Sequence, residues 1–231
     1  MPVRTSRQMR VGAVRLVAIG REGEDTRAPA GSRAFSCYYA YPFPMPPPDE
    51  ATLTHHTSTQ AVGLLDELCA VYADAYGVEL DGEKAGAFRN RATKALDRPR
   101  YKLLTAQDGE QMVGFAFGYT LPAGTYWWDG LTPAPPTGFT TEDGTRTFAL
   151  AEIEVRAAWQ GKGVGRALHD AMLSERHEGR ATLATGPQAD AARALYERWG
   201  WQAVGTIPGK TSSYFSEYTL YVLRLPRGER A

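Results

Sequence analysis

Residues 155–168 read VRAAWQGKGVGRAL, and glycine occupies three of the five positions from 161 to 165. Glycine adopts positive φ angles and allows another group to approach the main chain closely. A strand-like apolar stretch precedes this segment, and apolar residues with helical spacing follow it. The first N–H groups of a helix lack partners within the helix and attract anions. The segment therefore predicts a strand, a glycine turn and a helix whose start is open to an anion.

Three phosphate-binding patterns compete for this turn. A P-loop needs Ser or Thr after its Lys, whereas Gly163 follows Lys162. The dinucleotide pattern G-x-G-x-x-G fits Gly161 but ends at Arg166, and it normally opens a βαβ unit instead of lying in mid-chain. The third pattern, Gln-x-x-Gly-x-Gly, is complete from Gln160 onward. The third pattern is thus the one that the sequence satisfies.

Around this turn the sequence resembles the GNAT superfamily of acyl-CoA N-acyltransferases. The segment EIEVRAAWQGKGVGRALHDAML (152–173) is similar to that family's acetyl-CoA motif, and AARALYERWGW (191–201) is similar to its A-x-x-L-Y-x-x-x-G-[FW] helix. The detailed match is confined to residues 148–201. It departs from the family pattern at Ala189, where Asn is frequent. A side-chain contact to the cofactor is therefore missing there or comes from Gln188.

The resemblance implies that acetyl-CoA is the acyl donor. Its pyrophosphate would meet the N–H groups of the glycine turn, with Lys162 and Arg166 as charge partners. Strand residues Ile153 and Val155 would contact the pantetheine arm. The predicted cofactor-binding residues are Ile153, Val155, Gln160, Gly161, Lys162, Gly163, Val164, Gly165 and Arg166. The alternative is that the glycines only allow the helix to pack closely against the strand.

Acetyl transfer to an amine requires a proton for the leaving thiolate. The resemblance assigns this general-acid role to Tyr196. Helical periodicity alone would instead make Tyr196 a buried aromatic residue. No protein nucleophile is needed if the amine attacks the thioester directly.

The amine also has to lose a proton, and two carboxylates are candidate bases. Alternation along the predicted strand places Glu152 and Glu154 on the face opposite Ile153. A carboxylate in a central strand is costly unless it is solvated or functional. The alternatives to a catalytic role are a solvated strand face or an ion pair with Arg156 or Arg146.

The order of predicted elements is β-α-α-β-β-β-α-β-α-β-β, with one helix over 61–77 and a hairpin at Asp108-Gly109. This order predicts an α/β (α+β) fold. The resemblance makes it a GNAT-like mixed, mostly antiparallel central sheet flanked by about four helices. Residues 51–228 form this domain, and residues 1–50, rich in Pro and Arg, are predicted to be a disordered leader.

Composition excludes several other classes of protein. The formal net charge is +0, so nothing favours a nucleic acid or an anionic membrane as partner. The sequence contains no apolar run long enough to span a bilayer. The two cysteines, Cys37 and Cys69, are far apart, which fits a reducing cytoplasm. The histidines show no metal-ligand spacing, so no metal is expected, and His169 and His177 are predicted on a solvated helix face.

The predicted acceptor is a primary amine, either on a small molecule or on a protein. By resemblance, it would be recognised by segments 78–84 and 208–216 and by a long loop, 122–145. In that loop, Trp127 and Trp128 either hold a cationic amine, cap the core or support a homodimer. Two other functions stay open: a non-catalytic acyl-CoA sensor on the same fold, and a dinucleotide-binding oxidoreductase.

Overall fold

The computed structural model describes residues 51–209 and 215–226. The predicted leader, residues 1–50, lies outside this part of the chain, so its boundary stays a prediction. The elements are β1 (Thr52–His56), α1 (Ser58–Val62), α2 (Leu65–Tyr76), α3 (Glu83–Ala95), β2 (Lys102–Asp108), β3 (Gln111–Thr120), β4 (Thr147–Val155), α4 (Val164–Ser174), β5 (Arg180–Thr185), α5 (Asp190–Arg198), β6 (Gln202–Pro208) and β7 (Glu217–Arg224). Within these residues no helix is long and apolar enough to cross a membrane.

The seven strands form one sheet in the order β1-β2-β3-β4-β5-β7-β6. Neighbouring strands are antiparallel except β4 and β5, which run parallel because α4 connects them as a crossover. The mixed, mostly antiparallel sheet confirms the predicted fold class. Helices α4 and α5 cover one face of the sheet, and α1 to α3 cover the other.

The helix predicted over 61–77 is two helices, so the described chain has five α-helices. A capping box between Thr57 and Gln60 starts α1, and Gly63 ends it after one turn and a half. Helix α2 then runs to Gly77, whose positive φ of 62° closes it. The apolar periodicity continues across the break because both helices bury residues against the same core, as Ala61 and Leu68 do.

The long loop between β3 and β4 covers the sheet where α2 and α3 do not reach. Trp128 is 4% exposed and packs with Leu131 and Leu220. Its indole N–H donates to Glu142 at 3.1 Å, and Arg180 donates to the same carboxylate at 2.8 Å. Trp128 therefore caps the core, which was one of the roles that the sequence left open.

Candidate active site

An irregularity in β4 decides which way its carboxylates point. Phe117 pairs with Glu152, but the next residue, Gly118, pairs with Leu150, so β4 contains one extra residue, Ala151. Without this bulge, strict alternation from Leu150 would turn Glu152 toward α4. With it, Glu152 and Glu154 face α2 and α3, while Ile153 and Val155 pack in the core beneath α4 and α5. The predicted division of these residues between the two faces is confirmed.

Strands β4 and β5 pair only at their beginnings. The ladder joins Thr147 to Arg180, Phe148 to Ala181 and Ala149 to Thr182. Beyond this point no pair connects the two strands in the described chain, although β5 stays paired with β7 as far as Thr185. The remaining halves of β4 and β5 therefore border an opening in the middle of the sheet, with backbone groups available to a ligand.

The glycine turn lies at the end of β4 and leads into α4. Gly161 and Gly163 have φ angles of 75° and 89°, a conformation that favours glycine. Gly163 is the N-cap of α4, and no side chain caps this helix. Among the described residues, the N–H groups from 161 to 166 have no hydrogen-bond acceptor. These donors and the helix dipole fit a pyrophosphate group.

Two cations flank this turn. The Lys162 ammonium lies over the Trp159 ring at 5.0 Å from its centroid. The Arg166 guanidinium lies over Trp199 at 5.2 Å, and its Nε donates to Asp170 at 2.6 Å. Both side chains are at the glycine turn, as predicted, and Arg166 already has an anionic partner there. Gln160 has a structural contact as well, since its amide donates to the Val155 carbonyl at 2.9 Å.

Tyr196 lies on α5, on the face of the sheet that α4 and α5 cover. It is 6% exposed, and its ring packs edge-on against Trp199 and Trp201 at centroid distances of 5.8 and 6.0 Å. Burial, together with the nearby charges of Glu154 and Glu152, raises the pKa of its hydroxyl. The phenol therefore stays protonated and is available as a hydrogen-bond donor.

The two carboxylates of β4 have different surroundings. Arg91 of α3 donates from Nε to Glu152 at 3.0 Å, and 15% of the Glu152 side chain is exposed. Glu154 is buried and accepts a hydrogen bond from the Tyr76 hydroxyl at 3.0 Å. Burial and the adjacent charge of Glu152 raise the pKa of Glu154 well above its ordinary value. The pair thus combines an ion-paired carboxylate with one that binds a proton readily.

The sequence matches one family model over this region. The model of the acetyltransferase (GNAT) family matches residues 64–201, more than half of the chain. This chain belongs to the GNAT acetyltransferase family. A comparison with curated protein sequences gives no match.

Solved structures share the GNAT fold at low sequence identity. An aminoglycoside 6'-N-acetyltransferase complexed with coenzyme A is 14% identical, with a TM-score of 0.52, over 77% of this chain and 99% of that one. A GNAT acetyltransferase from Bacillus cereus is also 14% identical, with a TM-score of 0.51 and the same coverage of 77% and 99%. Aminoglycoside 6'-acetyltransferase type Ii is 16% identical, with a TM-score of 0.50, over 76% and 98%.

Neither of the two arginines that the sequence offered as alternative ion-pair partners of Glu152 and Glu154 forms that ion pair. Arg156 is held by Asp74 at 3.4 Å and donates to the Met112 carbonyl. Arg146 donates to carbonyls of its own loop, at Gly138 and Thr141. Both arginines are local in sequence, whereas the true partner, Arg91, comes from a helix 61 residues away. Nothing in the strand pattern could identify it.

The prediction for His169 was also wrong. The side chain is 3% exposed, because Trp199 and Trp201 cover it. The indole N–H of Trp201 donates to His169 Nε2 at 2.9 Å, so Nε2 is the acceptor and Nδ1 carries the proton. Nδ1 then donates to Asp170 at 2.8 Å. His177 is exposed, but it follows α4 instead of lying on it.

Sequence reasoning missed residues that complete the site. Tyr76 and Arg91 reach the β4 carboxylates from α2 and α3, and Asp74 accepts the Ala157 N–H at 2.7 Å. Their signal in the sequence is weak, since each is one polar residue in an amphipathic helix. In the described chain, no cluster of histidine, cysteine and acidic residues could hold a metal ion.

Proposed function

We propose that this chain is an N-acetyltransferase that transfers the acetyl group of acetyl-CoA to a primary amine by direct attack in a ternary complex. The observation that carries the proposal is the opening between β4 and β5. It runs from the last pair between β4 and β5 toward a glycine turn whose N–H groups have no acceptor in the described chain, with a buried tyrosine on one face of the sheet and two carboxylates on the other. Two structural neighbours named as aminoglycoside acetyltransferases, one complexed with coenzyme A, support this donor and an amine acceptor.

The donor would bind along the opening. The N–H groups of residues 161–166 would hold the pyrophosphate, with Lys162 beside it. Arg166 would either keep Asp170 or turn toward the phosphates, since its side chain is 35% exposed. The pantetheine arm contains amides, and the unpaired edge of β4 at Ile153 and Val155 offers backbone partners for them. The thioester would then lie between Tyr196 and the β4 carboxylates.

In the reaction, one covalent bond would form and one would break. The acceptor nitrogen forms a bond to the thioester carbon, and the bond between carbon and sulfur breaks. A primary amine has a pKa of about 10, so an ammonium group has to lose its proton before it attacks. One proton ends on the departing thiol, and the other leaves to solvent through the carboxylates. A backbone N–H of β4 would stabilise the charge that develops on the thioester oxygen.

Tyr196 would act as the general acid. The departing thiolate has a pKa of about 8.5 as a free thiol, so it gains from a proton donor at this point. Burial raises the pKa of the phenol and so keeps it protonated. The phenol would regain its proton from water after the product leaves.

Glu152 and Glu154 would act together as the base, directly or through water. Arg91 donates a hydrogen bond to Glu152, and burial together with the adjacent charge of Glu152 raises the pKa of Glu154, which makes Glu154 a stronger proton acceptor. Because the two groups interact, their titration belongs to the pair and not to either residue. Glu154→Gln and Glu152→Gln should each lower kcat, and each should shift the acidic limb of the rate profile against pH.

The deciding experiment is isothermal titration with acetyl-CoA. The wild type should bind, and Gly163→Glu should abolish binding, because it places a carboxylate at the anion site and a side chain at a φ of 89°. Gly109→Glu is the matched control, since Gly109 also has a positive φ, 57°, but lies in the hairpin between β2 and β3. A well-folded wild type that does not bind acetyl-CoA would overturn the proposal.

An amine screen with Tyr196→Phe alongside would then separate an enzyme from a sensor. Enzymatic transfer should produce free thiol with an amine acceptor, and Tyr196→Phe should lower kcat more than it changes the affinity for acetyl-CoA. A wild type that binds acetyl-CoA but acetylates no small amine or protein amine would favour the acyl-CoA sensor instead.

A further inference from the structure

Two arginines lie on the same side of the sheet as the β4 carboxylates. Arg91 of α3 donates from Nε to Glu152 at 3.0 Å, and 48% of its side chain is exposed. Arg98 follows α3 in the turn toward β2 and is exposed. Its guanidinium lies over the Tyr119 ring, 5.7 Å from the centroid. One ion-paired cation and one exposed cation therefore lie on the acceptor side of the candidate site.

Tyr119 shows where Arg98 lies relative to Glu152. Phe117 of β3 pairs with Glu152, and Tyr119 follows Phe117 by two residues on the same face of the sheet. Diagonal neighbours of this kind in antiparallel strands are about 7–8 Å apart. Burial raises the pKa of the Tyr119 hydroxyl, Arg98 lowers it and Glu152 raises it further, so both charges are close to this ring. Arg98 therefore lies over the diagonal neighbour of a proposed base.

The backbone holds Arg98 beside β3. Its N–H donates to the Ala95 carbonyl at 3.0 Å. One residue further, the Pro99 carbonyl accepts from the Thr120 N–H at 2.9 Å, which ties this turn to the strand next to Tyr119. Within the part of the chain that the structure describes, no acidic side chain forms an ion pair with Arg98. The position of this cation is thus fixed, and its charge is not neutralised by a neighbour.

The two β4 carboxylates offer little to an acceptor with several positive charges. Glu152 is already paired with Arg91, and Glu154 is buried against the Tyr76 hydroxyl. A polyamine or an aminoglycoside would bring further ammonium groups close to Arg91 and Arg98, and like charges repel. An acceptor with a carboxylate next to its amine would instead be attracted by Arg98. The charges on this side of the sheet therefore favour a zwitterion over a polycation.

We propose that the acceptor is a free α-amino acid, with its amine at Glu152 and Glu154 and its carboxylate on Arg98. A guanidinium presents a planar fork of N–H donors that matches a carboxylate, also while it lies over an aromatic ring. In an α-amino acid one carbon carries both charged groups, which fits the short distance between Arg98 and the proposed base. This assignment rests on the proposed acetyl transfer. The amine nitrogen bonds to the acetyl carbon, the thiolate leaves, and one proton goes to the thiol and one to solvent, which gives an N-acetyl amino acid and coenzyme A.

The first test measures acetylation of each standard amino acid and of its α-carboxamide, which keeps the amine and removes the negative charge. Kanamycin and spermidine represent polycationic acceptors. The best amino acid should exceed its own amide in kcat/KM by about 10- to 100-fold, the effect of a hydrogen-bonded ion pair. A higher kcat/KM for kanamycin, spermidine, an amide or a protein amine than for any amino acid would overturn this inference while the proposed function stands. A wild type that acetylates no amine at all would overturn both.

The second test separates an ion pair with the carboxylate from a packing role of Arg98. Arg98→Gln should raise the KM for the amino acid by about tenfold or more and leave the amide and acetyl-CoA within about twofold of wild type. Arg89→Gln is the matched control, because Arg89 is also an exposed arginine of α3 but pairs with Asp66. This control should keep the full preference for the acid over the amide. An undiminished preference in Arg98→Gln, or an equal loss of activity for acid and amide, would overturn the inference.

Discussion

The hydrogen bond between Trp201 and His169 joins two parts of the candidate site. Trp201 is 2% exposed, and its ring contacts that of Tyr196, the proposed acid. His169→Phe keeps an aromatic ring against Trp199 but leaves the indole N–H of Trp201 without its acceptor. Asp170 is half-exposed and can replace its lost donor with water. The cost of the substitution therefore falls mainly on the buried indole.

The size of the effect follows from that burial. An unsatisfied buried donor costs about 1–3 kcal/mol. For a chain of this length, about 2 kcal/mol corresponds to a melting temperature lower by about 4–8 °C. Trp201→Phe in the His169→Phe background removes the orphaned donor, so the double variant should be more stable than the sum of the single changes predicts. The coupling energy of the cycle should be about 1 kcal/mol.

The loss of stability caused by His169→Phe should depend on pH. Burial lowers the pKa of His169 below its ordinary value. The folded protein then binds fewer protons at this position than the unfolded chain, so stability rises with pH through this range. As pH falls below about 6.5, the wild type should lose the stability that His169 contributes. The difference in melting temperature between wild type and His169→Phe should therefore be smaller at pH 5.5 than at pH 7.5.

Thermal unfolding followed by circular dichroism at both pH values measures these effects. His177→Phe is the control, because His177 is an exposed histidine close in sequence. It should change the melting temperature little at either pH. If His169→Phe melted like the wild type at pH 7.5, or if the gap widened at pH 5.5, the deduced hydrogen-bond direction and the neutral state of His169 would both be refuted.

Three further predictions concern the sheet and its supports. Because its pKa is raised in the folded state, Glu154 should destabilise the protein increasingly as pH rises above about 4.3; Glu154→Gln should therefore melt higher than wild type at pH 8 and equally at pH 4. Arg180→Met leaves the buried Glu142 carboxylate without its cation and should cost about 3–5 kcal/mol by urea denaturation, much of it recovered when Glu142→Gln is added. Gly118→Ala places a Cβ atom 2.5 Å from the Phe148 ring at the β4 bulge and should lower both stability and activity. The control, Gly86→Ala, lies at an open position of α3 and should stabilise the protein by about 1 kcal/mol. Equal effects of the two substitutions would argue against a tight bulge.

Local sequence predicted the elements where each is set by its own residues. The hairpin at Asp108-Gly109 and the strand, turn and helix around Gly163 form as predicted, since turn glycines and apolar spacing act within a few residues. The break at Gly63 was missed, because both helices bury apolar residues against one core. The apolar spacing therefore does not show where α1 ends and α2 begins.

The surroundings of the site residues could not be predicted in the same way. Alternation alone does not reveal the bulge at Ala151, because a bulge is defined by pairing with another strand. Likewise, the contact of Arg91 with Glu152 joins α3 to β4. His169 is buried by Trp199 and Trp201, which belong to another segment of the chain.

The sequence by itself determined the family motif, the order of strands and helices apart from the break at Gly63, and the residue types available for acetyl transfer. Tertiary structure alone decided the surroundings of those residues: Glu154 is buried, and Arg91 donates a hydrogen bond to Glu152. The physical reason is the sequence distance over which each property is determined. Glycine conformation and apolar periodicity are properties of neighbouring residues, whereas burial and hydrogen bonding depend on segments that meet only when the sheet has formed.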